Sequence, residues 1–332
     1  MRKKLIYFIL ILTPFSCDKA MIGSDPASSD IECFNIFWNN FDLHYPTFII
    51  KNINWDSVRN IETTLIATKG LYYVLNDVGK KLRDGHFQVK TSSGKYIESP
   101  FPWNNRPLNS PVNIPNYLDL QVIYQKTIMY GIYDNIGYIS VKSFDLDSKY
   151  FSQITALINN QFKDLDGIIV DIRDNPGGLE TNSDMLAGNF TDKKILAYTF
   201  KYRNGPNHSD LGTELKHYIN PSGNSQFLKP VAVLTNRRCA SASEMFCLSM
   251  RMIPGTFMVG DTTSGTISDP QYQELPNGWI YRMPVAYVYT PNNEIFEEKG
   301  IPPHYPVWMA NRDSIRDRDL IFETAVNLIK NK

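Results

Sequence analysis

Gly167-Ile168-Ile169-Val170-Asp171-Ile172-Arg173-Asp174-Asn175-Pro176-Gly177-Gly178 decides the fold: an unbroken apolar run too short for a helix, then a Pro-Gly-Gly turn. Such a run reads as a strand buried on both faces, and the turn delivers the chain into a helix. Paired glycines at that turn let backbone amides face an anion. Taken alone, Pro-Gly-Gly after a strand is also a common turn with no further role.

The same grammar recurs further on. Val231 to Thr235 is apolar and short, and Asn236-Arg237-Arg238-Cys239-Ala240-Ser241-Ala242-Ser243-Glu244 leads into a helical pattern. This spacing puts Ser241 at a helix N-terminus, where free amides and the positive end of the dipole favour a developing oxyanion. Serine is equally a preferred N-cap, so the hydroxyl needs partners before it reads as a nucleophile. Strand patterns at Gly137 to Val141 and Thr256 to Gly260, with a helix over Lys149 to Phe162, complete an α/β alternation. Tyr281 to Tyr289 adds a late aromatic strand or hairpin.

Ahead of this core the period is helical. Ile31, Phe34, Trp38 and Phe41 share one face, as do Val58, Ile61 and Leu65, and then Leu71, Val74, Leu75, Val78 and Leu82. A small helical bundle is expected, with Gly70 and Gly85 as C-caps, delivering Asp84-Gly85-His86 towards the core.

Together these segments resemble the C-terminal-processing and tricorn-core family of serine peptidases. The carriers are Asp171 to Gly178 in the Asp-x-Arg-x-Asn-x-Gly-Gly pattern, Ala240 to Glu244 around the nucleophile, Asp84-Gly85-His86, Gly137-Tyr138-Ile139, and Phe296-Glu297-Glu298-Lys299-Gly300-Ile301-Pro302-Pro303. The likeness covers residues 31 to 310. It implies an α/β fold with a crotonase/ClpP-like core of ββα units, a serine nucleophile at Ser241, and an oxyanion hole from the amides of Gly177, Gly178 and Ala242.

The processing branch of the family uses a Ser-Lys dyad, but Thr266 stands where that lysine would fall. The tricorn-like branch uses a histidine from ahead of the core with a late carboxylate, which implies His86 as general base and Glu297 as its orienting acid. An imidazole with an ordinary pKa near 6.5 suits that exchange at neutral pH. His304, where the family has an acid after the Pro-Pro step, is a second base candidate, and Cys239 beside Ser241 a minor nucleophile candidate. About fifty residues separate His86 from Gly137, too few for the PDZ domain that many processing proteases carry there.

The N-terminus sets the compartment. Arg2, Lys3 and Lys4 precede the apolar run Leu5 to Leu12 and then Ser16-Cys17, a secretory leader with a relaxed lipoprotein processing site that would lipidate Cys17. The expected division is a leader at 1–17, a tether at 18–30, a helical module at 31–90, a connecting segment at 91–136 and a peptidase core at 137–332. A lipid-anchored protein of the bacterial cell envelope, facing periplasm or exterior, follows.

Composition excludes several classes. Lys plus Arg and Asp plus Glu number 34 each, and loss of the three leader cations leaves a mildly acidic chain without a basic stripe, so nucleic acid is not an expected partner. With Cys17 assigned to the anchor, Cys33, Cys239 and Cys247 make an odd set with no metal-ligand spacing, and no metal or cofactor is expected. Nothing in the sequence sets an oligomeric state. The resulting expectation is a serine-type peptidase that hydrolyses peptides or unfolded proteins through an acyl-enzyme. The alternative is an inactive peptide- or apolar-ligand-binding protein of the same fold; an ester or carbohydrate hydrolase has less support, because a Gly-x-Ser-x-Gly elbow is lacking.

Overall fold

The computed structural model describes residues 29–100, 110, 114–309 and 318–331. The expected leader, Cys17, the tether as far as residue 28 and Phe101-Pro102-Trp103 lie outside them. The chain is an α/β protein built on a seven-stranded sheet. In chain order its strands are β3 (Gln121–Tyr124), β4 (Ile128–Tyr133), β5 (Ile136–Val141), β6 (Gly167–Asp171), β9 (Val231–Thr235), β10 (Thr256–Gly260) and β14 (Tyr305–Pro306). Spatially they run β14-β10-β9-β6-β5-β4-β3, parallel from β14 to β5 and antiparallel at β4 and β3.

Strands β5, β6 and β9 are buried along their whole length. Alternation therefore divides each between two cores instead of between core and solvent. Ile168, Val170, Val231 and Val233 point to one face, which is covered by α3 (Ser148–Leu157), α4 (Glu180–Ala187) and α5 (Ala242–Met252). Ile169, Ala232 and Leu234 point to the other, where α6 (Leu320–Lys330) packs through Ile321, Phe322, Ala325 and Ile329. The helix expected over Lys149 to Phe162 is present, its last turn widened into a π-helical Ile158–Phe162.

Two charged residues of the Asp-x-Arg pattern tie the strand end to α6. The Arg173 guanidinium is fully buried, donating to both Asp171 oxygens at 2.9 and 2.7 Å and to both Asp319 oxygens at 3.0 and 2.8 Å. Asp319 is also the N-cap of α6, accepting the Phe322 amide. Burial opposes the Asp171 charge, but Arg173 outweighs it and holds the carboxyl far below its usual range.

The first helices, α1 (Asp30–His44) and α2 (Trp55–Leu82), pack on each other, with Trp38 stacked on Trp55 at 6.0 Å. Their aromatic faces share a core with Val89 of β1 (Gln88–Lys90) and Ile97 of β2 (Tyr96–Glu98). Leu275, Tyr281, Met283 and Val285 complete it, from the distant hairpin of β11 (Pro270–Glu274) and β12 (Ile280–Pro284). One four-stranded sheet, ordered β11-β12-β1-β2, thus joins both halves of the chain. Gly70 marks a kink within α2 at a φ of 77°, and the left-handed C-cap is Arg83, not Gly85, because the helix ends at Leu82, three residues before the glycine. The late aromatic segment splits between sheets: β12 belongs to the four-stranded one, and β13 (Ala286–Tyr289) pairs with β7 (Ile195–Tyr202), which also pairs with β8 (Leu215–Ile219).

Truncating Arg173 strands two buried carboxylates. Arg173→Ala should lower unfolding free energy by about 3–5 kcal/mol, read as a reduced urea midpoint, the range found when one partner of a buried pair is removed.

Candidate active site

Three loops at the carboxyl ends of the parallel strands, where open α/β sheets place their ligand crevices, converge on one cavity of about 1060 Å³. Gly178 after β6, Ser241 after β9 and Thr266 to Ser268 after β10 line it, and His86 enters from the turn between α2 and β1.

Ser241 is the N-cap residue of α5, yet its side chain caps nothing. Its φ of 56° and ψ of −125° lie in a region that a non-glycine residue adopts only when its surroundings force it. The forcing contacts are visible: the Ser241 amide donates to the Thr266 carbonyl at 2.9 Å, while its own carbonyl accepts the Glu244 amide at 2.7 Å. Glu244, in the first turn of α5, is fully buried. Its carboxylate accepts from the Thr263 hydroxyl at 2.5 Å, the Ser264 hydroxyl at 3.0 Å, and the amides of Gly265 and Thr266 at 2.8 and 2.7 Å. Burial pushes its pKa up to about 7 against the pull of these donors.

Asn175 organises the glycine turn. Its amide group donates to the Val141 carbonyl and its Oδ1 accepts the Gly177 amide at 2.8 Å, while its backbone carbonyl receives the Ala240 amide and the Ser243 hydroxyl. Gly177 is thereby pressed onto the serine: a Cβ there would lie 2.7 Å from Ser241 Cβ. Its amide is engaged by Asn175, so its role is close approach, not donation. Among the described residues the amides of Gly178 and Ala242 have no protein partner, and both residues line the cavity. The φ of Gly178 is 135°, and a Cβ would meet Asp145 N at 2.0 Å.

His86 is only 4 % exposed, and its Nδ1 has no hydrogen-bond partner. No hydrogen bond joins the ring to the Ser241 hydroxyl, although both residues line the cavity. Asp84 Oδ1 fixes the His86 amide at 2.9 Å and Arg282 donates to the His86 carbonyl at 2.7 Å. Burial pulls the imidazole pKa down to about 4, against Asp84 and with help from Arg282 and Lys51. Glu297 lies behind this turn, accepting the amides of Ile267 and Ser268 at 3.0 and 3.2 Å, with Lys51 Nζ at 3.1 Å from its other oxygen. It makes no hydrogen bond to the imidazole. His304 accepts the Met258 amide through Nδ1 and does not line the cavity. The Cys239 thiol donates to the Ile172 carbonyl at 3.1 Å, and burial pushes its pKa up.

Lys51 escaped the sequence reading. A lone lysine in the turn between two helices carries no motif, and only tertiary structure brings it to Asp84 and Glu297. Glu180, Asp184 and His217 are grouped closely enough to hold a metal. The His217 ring already bridges the two carboxylates at 3.3 and 3.1 Å; burial opposes its charge, yet the bond to Asp184 holds its pKa above the ordinary value.

A strained serine hydroxyl, two unpaired amides and a neutral imidazole around one crevice of an α/β sheet define the kind of site that serine hydrolases use. The chain belongs to peptidase family S41, whose family model matches residues 135–307. A Parabacteroides merdae crystal structure assigned to a peptidase is 30 % identical, with a TM-score of 0.81 over 91 % of this chain and 97 % of that one. Mature CPAF in complex with lactacystin shares the fold at 12 % identity, with a TM-score of 0.69 over 92 % of this chain and 99 % of that one. The carboxy-terminal processing protease CtpA of Bacillus subtilis is 28 % identical over 51 % of this chain and 34 % of its own length. The match thus spans about a third of that curated relative.

The depressed His86 pKa carries a stability signature. Above pH 6.5 the ring is neutral whether folded or not; as pH falls towards 4 the unfolded ring takes a proton that the folded one refuses, and stability is lost. Urea midpoints of the wild type should therefore fall between pH 6.5 and 4 more steeply than those of His86→Gln.

Proposed function

We propose that the protein is a serine peptidase in which Ser241 attacks the scissile carbonyl and His86 takes its proton, with acyl-enzyme hydrolysis by water. The observation that carries this reading is the backbone of Ser241, held at positive φ beside Gly177 with its hydroxyl engaged in no cap. Strain at a residue that contributes nothing to capping is unfavourable for folding, and nucleophile turns are where such strain is kept.

His86 suits the base role because it stays neutral at the pH where it must accept a proton. Gly178 and Ala242 supply the oxyanion donors in this mechanism, and Gly177 lets the glycine turn approach the serine. Glu297 holds the loop that carries Thr266 to Ser268 and supplies negative charge near the imidazolium formed during turnover. Thr266 takes no part in proton transfer; its carbonyl positions the Ser241 amide. The core is read as crotonase/ClpP-like ββα units, preceded by the segment at 31–90 that presents His86.

Substrates are peptides or unfolded proteins, since a cavity of about 1060 Å³ bounded by loops admits an extended segment and not a folded domain. The leader and Cys17 support action in the bacterial cell envelope, anchored by lipid. No helix among the described residues is long and apolar enough to cross a membrane.

Cleavage of a peptide library, followed by mass spectrometry, tests the mechanism. Ser241→Ala and His86→Ala should each reduce turnover by roughly 10³-fold or more, and equal traces from all three proteins would turn the reading to an inactive binder. Because the wild-type base has a pKa of about 4, activity should already be near its plateau at pH 6, with the acidic limb near pH 4 instead of 6.5.

A further inference from the structure

The ammonium of Lys51 is buried: it donates to Asp84 Oδ2 at 2.7 Å and to the Arg83 carbonyl at 3.4 Å, and it pairs with Glu297 Oε1 at 3.1 Å. A fully desolvated cation is unfavourable unless its surroundings require it. It is no substitute for the missing dyad lysine: burial disfavours its charge, but Asp84, Tyr45 and Glu297 outweigh that and keep it protonated.

What Lys51 joins is more telling than its burial. Asp84 belongs to the turn after α2, and its Oδ1 holds the His86 amide. Glu297 belongs to the loop before β14, and its Oε2 holds the amides of Ile267 and Ser268. Those amides directly follow Thr266, whose carbonyl holds the Ser241 amide. A continuous polar path therefore runs from the backbone of the nucleophile to the backbone of the base, and Lys51 is the link that crosses from one segment to the other.

We propose that Lys51 is a positioning residue, which ties the His86 turn to the Ser241 loop through Asp84 and Glu297 and offsets their charge beside the imidazole. The inference rests on His86 being the base. The groups facing the imidazole are Asp84 on its own turn, Lys51 from the α1–α2 turn and Arg282 from β12; Glu297 and the Tyr45 hydroxyl, which donates to Asp84 at 2.7 Å, lie behind them. Asp84 and Glu297 against Lys51 leave a net charge of minus one. Without Lys51 the two carboxylates face only the Arg282 guanidinium, and the imidazole binds its proton more tightly.

The test is an NMR titration of ¹⁵N-histidine-labelled full chain in a Ser241→Ala background, with the His86 signal assigned by its loss in His86→Gln. The wild-type midpoint is expected at about 4. Lys51→Met should raise it by about one to two pH units through the freed carboxylates, and Lys51→Arg should leave it near the wild-type value. Lys51→Met with Glu297→Gln restores the net charge and should return the midpoint towards 4; this pair also keeps the question answerable where Lys51→Met alone does not fold. An unchanged midpoint in folded Lys51→Met, or an equal rise in Lys51→Arg, would overturn the proposal. The readout needs no turnover, so a failed linkage is distinguishable from a failed base assignment, which would appear as peptide cleavage surviving His86→Ala.

Discussion

The Glu244 carboxylate is the interaction on which the crevice depends. A buried carboxylate is tolerated only where donors surround it, and here two hydroxyls and two amides come from four successive residues, Thr263 to Thr266. That demand curls the loop after β10 around the first turn of α5. The curl aims the Thr266 carbonyl at the Ser241 amide, and the bond between them holds the serine backbone in its strained conformation. Glu244 thus converts a desolvation penalty into fixed geometry at a residue it does not itself touch through its side chain.

The same device recurs at each layer around the cavity. Asn175 spends its side chain on the Val141 carbonyl and the Gly177 amide, which fixes the glycine turn. Arg173 joins the end of β6 to the start of α6. Glu297 clamps the amides that follow Thr266. In every case a polar side chain from one loop satisfies the backbone or charge of another, so the strand ends form one connected frame. Rigid loops matter for the proposed mechanism, in which the amides of Gly178 and Ala242 must be aimed before charge develops.

The parallel strands were legible because full burial writes itself as unbroken apolar runs, at Ile168 to Val170 and Val231 to Leu234. Family S41 was legible because Asp171 to Gly178 and Ala240 to Glu244 are local motifs whose residues act on one another nearby. The hairpin β11-β12 was not anticipated as a partner of the first helices, since its pairing with β1 spans some 190 positions, and period-two alternation never names a partner strand. The same limit hid Lys51 and misplaced the donor role of Gly177: which amide stays free depends on an Asx turn at Asn175 that glycine content alone does not reveal.

In the proposed mechanism the base comes from outside the seven-stranded sheet, and the charge distribution gives a reason for it. The core loops already hold a desolvated carboxylate at Glu244 and another at Glu297, and a histidine from those loops would sit against one of them with its pKa held up, as that of His217 is beside Asp184. Entering from the α2–β1 turn, His86 meets burial first and Asp84 beside it, while Arg282 and Lys51 offset that carboxylate. The result is a ring depressed to about 4, neutral when it must accept a proton, with negative charge close by for the moment it becomes cationic. With the proposed base and nucleophile on separate segments, the buried Lys51 ammonium is what joins those segments, through Asp84 on one side and Glu297 on the other.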